Sequence, residues 1–207
     1  KAAREAGIPV VILNQKITDQ SIASTFVGVS NVDGGMMEMS AAVADMGGEG
    51  KVALLLGPMG SDAQIGRSEG YQAIIDESKG KVEVVYELTA NWTTDEALAV
   101  VETWLSSGKE INAIVAQNDG MAMGALKAVE DAKMEDKILV YGLDATDEAL
   151  AAVKDGRLKA TVSQSTTLQG LKAMEAAVDL VNGKEVAPEI LVDFTLITKD
   201  NVDEFLK

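Results

Sequence analysis

Short apolar runs alternate with segments of helical periodicity along the whole chain. Between the runs, apolar residues recur at steps of three and four, which indicates amphipathic helices. Runs that are apolar throughout are typical of parallel strands with helices on both faces of the sheet. The predicted strands are residues 8–13, 25–29, 51–56, 82–88, 111–116, 138–143, 159–163 and 190–197. We therefore predict an α/β fold with a doubly wound parallel sheet.

Two of the predicted helices carry a pronounced apolar stripe. The first stripe consists of Val32, Met36, Met39, Val43 and Met46, and Gly47-Gly48 ends its helix. The second consists of Leu171, Met174, Val178 and Val181, and Asn182-Gly183 ends its helix. Because the spacing is helical, we expect the methionines in these stripes to fill the core.

Helix ends are marked by capping residues. Thr93 followed by Glu96 has the spacing of a capping box, and Thr146 precedes two acidic residues as an N-cap does. Gly156 is expected to end the helix that Thr146 begins. Asn118 and Asp144 also precede helices, so the simplest explanation of each is that it is only an N-cap.

Composition excludes several classes of function. The 207 residues include 33 acidic and 18 basic side chains, which gives a net charge of −15 and disfavours nucleic acid as a partner. The sequence has no cysteine and no histidine, so it lacks thiolate nucleophiles, imidazole bases and the usual zinc ligands. We predict no cofactor, no metal and no enzymatic activity.

Side chains that can form hydrogen bonds, and one indole, follow several of the predicted strands. In open α/β sheets, ligands bind at the carboxyl ends of the strands, so these side chains are the candidate binding residues. Amides, a carboxylate, a guanidinium and an indole suit the hydroxyl groups and the apolar face of a sugar. Each residue taken alone also has an ordinary structural explanation. It is their occurrence together at one edge of the sheet that favours a role in binding. The candidates are Asn14, Gln15, Arg67, Trp92, Asn118, Asp144 and Gln164.

At these same positions the sequence resembles the ribose- and galactose-binding family of periplasmic sugar receptors. The most specific segment is Gln117-Asn118-Asp119 with the small-residue helix that follows it, and the likeness runs through the whole chain. Further matching segments are Asn14-Gln15, Ser30-Asn31, Gly57 to Gly60, Arg67 to Gly70, Gly142 to Asp144 and Thr161 to Gln164. The resemblance implies a type I periplasmic-binding-protein-like fold in which two lobes capture a sugar.

The resemblance also implies a role for each candidate. Arg67, Asn118, Asp144 and Gln164 would be polar ligands of the sugar, and Trp92 would stack on it. Asn14 and Gln15 stand where ribose receptors typically have an aspartate and an arginine. Leu143 replaces a common aromatic residue, and Val29 replaces a common small hydroxyl residue. These departures favour a different polyol or a hexose.

Family members cross between their lobes three times, which predicts the domain organisation. Residues 1–29 would be the trailing part of the N-terminal lobe, residues 30–164 the C-terminal lobe, 165–193 a return to the first lobe and 194–207 a return to the second. The chain starts within a helix-like segment, so we expect an N-terminally truncated receptor with a partial first lobe. Such a fragment is expected to bind sugar weakly or not at all.

We therefore predict an extracytoplasmic solute-binding protein that serves an ABC-type sugar transporter. Its expected partners are a sugar or polyol and a membrane permease, with a chemoreceptor as a further option. It would be periplasmic, or extracellular and lipid-anchored, and this segment would not be inserted in the membrane. The main alternative is the effector domain of a lactose-repressor-type regulator, which has the same fold. An enzyme alternative is a glycosidase that uses Asp119 and Asp144 as its carboxylate pair.

Overall fold

The structure is a computed structural model and describes residues 2–206. Contacts divide these residues into two compact units, residues 31–163 with 195–206 and residues 2–30 with 164–194. The three points of division each lie one residue from an expected crossing between lobes. That the units act as the lobes of a sugar receptor stays a prediction at this stage.

The described residues form seven α-helices and nine strands, which alternate from β2 to β8. The helices are α1 Ala2–Glu5, α2 Asn31–Asp45, α3 Asp62–Glu77, α4 Thr94–Ser106, α5 Asp119–Asp131, α6 Asp147–Asp155 and α7 Thr166–Val181. The strands are β1 Val11–Leu13, β2 Thr25–Gly28, β3 Gly50–Leu56, β4 Val82–Thr89, β5 Ala113–Ala116, β6 Leu139–Leu143, β7 Ala160–Ser163, β8 Glu189–Leu191 and β9 Thr195–Thr198.

The larger unit is built on a six-stranded sheet in the order β4-β3-β5-β6-β7-β9. Side chains of β3 alternate between its two faces. Ala53 and Leu55 belong to one buried cluster, which also contains residues of α4, α5 and α6. Val52 and Leu54 belong to a second buried cluster, with residues of α2 and α3. Both faces of the sheet are therefore covered, as the continuous apolar runs predicted.

The last predicted strand, residues 190–197, is two strands in the structure. β8 pairs parallel to β2 in the smaller unit, and β9 pairs antiparallel to β7 in the larger one. The prediction of a single strand over residues 190–197 was therefore wrong, and β9 adds an antiparallel edge strand to an otherwise parallel sheet. The apolar pattern did not separate the two strands, because Val192 and Phe194 on either side of Asp193 are both apolar and buried. The crossing itself was expected near residues 193 and 194 from the family resemblance.

The smaller unit is a three-stranded parallel sheet in the order β1-β2-β8 with α7 against it. Val27 of β2 packs against Ala173 and Ala176 of α7. The expected stripe of α7 points away from this contact, and each of its residues is more than half exposed: Leu171, Met174, Val178 and Val181. The expectation that Met174 fills the core was wrong, because small residues form the face that meets the sheet.

The predicted caps are present. The hydroxyl of Thr93 accepts a hydrogen bond from the N–H of Glu96, and that of Thr146 accepts one from Ala149. Gly156 ends α6 in the left-handed conformation, with φ 78°. Among residues 2–206, no helix combines the length and the apolar character needed to cross a bilayer.

Candidate sugar-binding site

Left-handed backbone conformations are concentrated at the predicted site. Positive φ angles occur in the turns that follow four of the strands. They are found at Asn14 (68°) after β1, Trp92 (66°) after β4, Asp144 (140°) after β6 and Ser165 (51°) after β7. Asn91 and Ala145, the chain neighbours of Trp92 and Asp144, also have positive φ. Such conformations cost energy in most non-glycine residues and cluster where a side chain is held for function. The strand ends singled out from sequence are thus structurally unusual.

Arg67 and Trp92 lie together. Arg67 is 4% exposed, and its guanidinium carbon is 5.5 Å from the centroid of the Trp92 ring, within the range of a cation–π contact. The guanidinium donates a hydrogen bond to the carbonyl of Gln117. A Cβ atom at Gly57 would stand 2.1 Å from the Trp92 ring, so only glycine allows the indole to lie over this loop.

Gln117 ties the loop after β3 to helix α3. Its Oε1 accepts a hydrogen bond from the N–H of Gly57 at 2.9 Å. Its Nε2 donates to the carbonyl of Gln64 at 3.2 Å and to the hydroxyl of Ser68 at 3.0 Å. The side chain is fully buried, and its hydrogen bonds hold the Gly57 loop and α3, the helix that carries Arg67, in place. Sequence analysis placed Gln117 in the family motif but gave it no role.

Asn118 is the N-cap of α5, and it also contacts the loop that carries Trp92. Its Oδ1 accepts a hydrogen bond from the N–H of Met121 at 2.9 Å. Its Nδ2 donates to the carbonyl of Trp92 at 3.4 Å. The N-cap explanation is therefore right for Asn118, and the residue is also part of the cluster of candidates.

Asp144 lies at the carboxyl end of β6 and is half-buried. It is not an N-cap, because Thr146 has that role for α6. Its N–H donates to the carbonyl of Val162 at 2.9 Å, which holds the residue beside β7. The prediction that Asp144 is only an N-cap was therefore wrong.

Asp119 is inside the protein. It has no exposed surface, and its two carboxylate oxygens accept hydrogen bonds from Thr161 and Thr146. Burial raises the pKa of this carboxyl to about 6, and the neighbouring Asp144 adds to the shift. A carboxyl placed in this way cannot reach a glycosidic oxygen, which argues against the glycosidase alternative.

The candidates of the smaller unit form an amide cluster. Asn14 donates from Nδ2 to Oε1 of Gln164 and to Oε1 of Gln169, both at 3.3 Å. Gln169 donates in turn to the carbonyl of Gln164 at 2.7 Å. Gln169 was missed from sequence because it lies inside α7, although it is only 1% exposed. Gln15, the next residue after Asn14 in the chain, is exposed.

The structure thus assembles the candidates as two sets, one in each unit. Arg67, Trp92, Asn118 and Asp144 belong to the larger unit, and Asn14, Gln15 and Gln164 to the smaller. That all seven bind ligand stays a prediction. Among residues 2–206 there is no cluster of three or more side chains suited to hold a metal ion.

Comparison with known proteins identifies the family. The model of the periplasmic binding protein domain matches residues 1–185. The chain belongs to the periplasmic binding protein family. This family consists of solute-binding transport proteins, which confirms the prediction that the chain is not an enzyme. Its proteins are periplasmic, so the compartment is extracytoplasmic.

Two curated relatives show the range within the family. The ribose import binding protein of Bacillus subtilis is 39% identical over 96% of this chain and 63% of its own length. The xylitol-binding protein of Mycolicibacterium smegmatis is 33% identical over 98% of this chain and 57% of its own length. The chain therefore spans about three fifths of these relatives. Both are binding proteins, which favours the receptor prediction over the repressor alternative.

A solved structure confirms the predicted fold class. An ABC transporter solute-binding protein of Bacillus halodurans, with bound myo-inositol, superposes with a TM-score of 0.93 and is 38% identical. The match covers 99% of this chain and 70% of that one. The type I periplasmic-binding-protein-like architecture expected from sequence is thus present, with an antiparallel edge strand in the larger unit.

Proposed function

We propose that the protein captures a monosaccharide or polyol outside the cytoplasm and delivers it to an ABC-type sugar transporter. The observation that carries this proposal is the placement of Trp92, Asn118 and Asp144 after strands of one sheet, with Arg67 of α3 against the ring of Trp92. This arrangement combines a buried cation stacked on an indole with an amide and a carboxylate, and its turns are held by internal hydrogen bonds. The family and its ABC transporter members support the same function.

Each group in the cluster has a part in sugar recognition. Asp144 would accept hydrogen bonds from two hydroxyl groups, and Arg67 and Asn118 would donate to hydroxyl oxygens. Trp92 would cover the C–H face of the ring. The Nε atom of Arg67 is buried and has no hydrogen-bond partner among the described residues.

We propose a polyol or a hexose as the ligand in preference to ribose. Asn14 and Gln15 are neutral amides where ribose receptors typically have a carboxylate and a guanidinium. Amides both donate and accept, which suits hydroxyl groups without requiring an ionic partner. The myo-inositol bound in the Bacillus halodurans protein and the substrate named for the xylitol-binding relative are of this chemical class.

Ligand binding would act by shifting a conformational equilibrium. A ligand that binds one state more tightly raises the population of that state, and a membrane permease or a chemoreceptor would recognise it. The protein would be free in the periplasm or attached to the outer face of the membrane by a lipid. Determining the start of the gene product, and whether a lipidated residue follows its signal sequence, distinguishes these two cases.

The proposal is tested by calorimetric titration of the full product of the gene with myo-inositol, xylitol, D-glucose and D-ribose. We expect binding of at least one of the first three to be tighter than binding of ribose. Asp144→Ala should weaken that binding by about 1.5–3 kcal/mol, the usual contribution of hydrogen bonds to a charged group. The matched control is Asp147→Ala, which removes an exposed acid from the first turn of α6.

Two results would contradict the proposal. Absence of heat and of thermal stabilisation with every polyol and sugar in a wider panel would reject the ligand class. Equal affinity of the Asp144→Ala and Asp147→Ala variants would remove Asp144 from the site. The 207-residue chain, titrated in parallel, is expected to bind weakly or not at all.

A further inference from the structure

The turn after β6 has a conformation that needs support. Asp144 and Ala145 have φ angles of 140° and 59°, so two adjacent residues with side chains lie in the left-handed half of backbone space. Such conformations are unfavourable for most residues and persist only where surrounding structure fixes them. The direction of the Asp144 side chain depends on this turn. The hydrogen bonds that hold the turn therefore control a proposed ligand contact.

Those hydrogen bonds converge on Asp119. Its Oδ2 accepts from the N–H of Thr146 at 2.8 Å. Its Oδ1 accepts from the hydroxyl of Thr161 at 2.7 Å, and the same hydroxyl oxygen accepts from the N–H of Ala145 at 3.1 Å. One carboxylate thus holds two successive backbone N–H groups, one directly and one through a threonine.

Asp119 and Thr161 form these hydrogen bonds in the interior of the larger unit. Asp119 and Thr161 both have no exposed surface, so water does not compete for these hydrogen bonds. A Cβ atom at Gly142 would stand 2.4 Å from Oδ1 of Asp119, so the carboxylate lies directly against the backbone of β6. The beginning of α5, the end of β6 and strand β7 therefore meet at one group.

We propose that Asp119 is a positioning residue for ligand binding, which fixes the Asp144 turn through the N–H of Thr146 and, by way of Thr161, the N–H of Ala145. The inference rests on the proposed function only in taking Asp144 as a ligand contact. Asp119 itself does not touch the ligand. Its role is to keep the carboxylate of Asp144 in one direction before the ligand arrives, which lowers the ordering cost of binding.

Protonation of Asp119 should make the hydrogen bonds of the Asp144 turn depend on pH. The charged or titratable groups that act on this region are Asp144, Glu38 of α2 and Arg67, whose guanidinium binds the carbonyl two residues before Asp119. Burial raises the pKa of Asp119 to about 6. Below that pH the carboxyl gains a proton, one oxygen becomes a donor, and the acceptor pair that holds the turn is lost.

Loss of the turn at low pH is distinguishable from unfolding. A carboxyl whose pKa is raised in the folded state, from 3.8 to about 6, contributes stability below 3.8 that is lost as the pH rises through 6. Acidification from pH 7 to 5 therefore favours the folded state through this group. The Asp144 turn should loosen in that range while the fold persists.

The experiment is amide hydrogen exchange and pH titration by NMR on the ¹⁵N-labelled 207-residue chain without ligand. We expect the amide shifts of Ala145 and Thr146 to titrate with a midpoint near pH 6. In Asp119→Asn this titration disappears, and both amides exchange about tenfold faster or more, the factor that corresponds to losing one ordinary hydrogen bond. The control variant Asp147→Asn retains the titration and the slow exchange.

Thr161 supplies a second pair of variants in case Asp119→Asn does not fold. Thr161→Val removes the hydroxyl and should speed the exchange of Ala145 more than that of Thr146, whereas Thr161→Ser keeps the hydroxyl and should restore slow exchange. Unchanged exchange at both amides in folded Asp119→Asn, or in Thr161→Val, overturns the inference. Because no ligand is used, this result is independent of whether any sugar binds.

Discussion

Helices α2 and α7 have the same kind of apolar pattern and opposite relations to solvent. Met39 of α2 has no exposed surface and lies in a buried cluster with residues of β3 and α3. Met174 of α7 is 64% exposed, and the rest of its stripe is exposed with it. The buried face of α7 is made of Gln169, Ala173 and Ala176.

The difference shows what helical periodicity does and does not determine. A period of 3.6 residues places the apolar residues on one face, but it does not determine which face meets the sheet. In α7 the close contact with β2 selects small side chains, and the large ones lie on the other side. Buried neighbours, rather than the stripe itself, decide how much each methionine contributes to stability.

The most direct test makes one substitution at both positions. Met39→Ala removes a fully buried side chain and should lower the free energy of unfolding by about 2–5 kcal/mol. Met174→Ala should change it by less than about 0.5 kcal/mol, because the side chain is mostly in solvent. Urea unfolding followed by far-ultraviolet circular dichroism gives both values. Equal losses from the two variants would mean that the stripe of α7 is covered in solution.

Most of the larger unit could be predicted from sequence, for the same reason that the burial of Met39 could be predicted. The central strands there are apolar runs buried on both faces, as at Leu54 and Leu55, so pattern and environment agree. The failures come where the environment is set by tertiary contacts. Residues 190–197 were predicted as one strand because apolar residues stand on both sides of Asp193, and Met174 was predicted to lie in the core because its stripe is regular.

In the candidate site, too, some residues could be predicted from the sequence pattern and others depend on tertiary contacts. Residues at strand ends, such as Trp92 and Asp144, could be found from sequence because topology places them at one edge of a parallel sheet. Gln169, which accepts a hydrogen bond from the candidate Asn14, could not be found in this way, because it lies inside α7 and is recognised only by what surrounds it. Asp119 was visible in the family motif, but its hydrogen bonds to Thr146 and Thr161 depend on three separate elements.

A second test concerns the polar group on the covered face of α2. Glu38 is 1% exposed, its Oε2 accepts a hydrogen bond from the hydroxyl of Tyr71 at 2.5 Å, and its Oε1 has no partner among the described residues. Burial raises its pKa from 4.5 to about 8. Its contribution to stability is therefore complete below pH 4.5 and is lost as the pH rises through 8.

Glu38→Gln should remove this loss. A neutral amide of the same size has no charge to desolvate, so the variant should become more stable than the original protein as the pH rises from 5 to 9, by an amount on the order of a few kcal/mol. Urea unfolding at a series of pH values measures the difference. Ser40→Ala, on the exposed side of the same helix, is the control that should follow the original protein. A constant difference across the range would show that Glu38 does not titrate there.

The smallest expected change in stability tests the exposed face of α7 itself. Met174→Lys places a charge in the middle of the stripe, and we expect the free energy of unfolding to change by less than about 0.5 kcal/mol because the site is in solvent. The same substitution interrupts a contiguous apolar surface of Leu171, Met174 and Val178, so the fluorescence of the apolar dye ANS with the folded chain should fall. Ser40→Lys on α2 adds the same charge without touching that surface and should leave the dye signal unchanged. A strongly destabilised Met174→Lys variant would place the residue in a covered interface and would remove the contrast between the two helices.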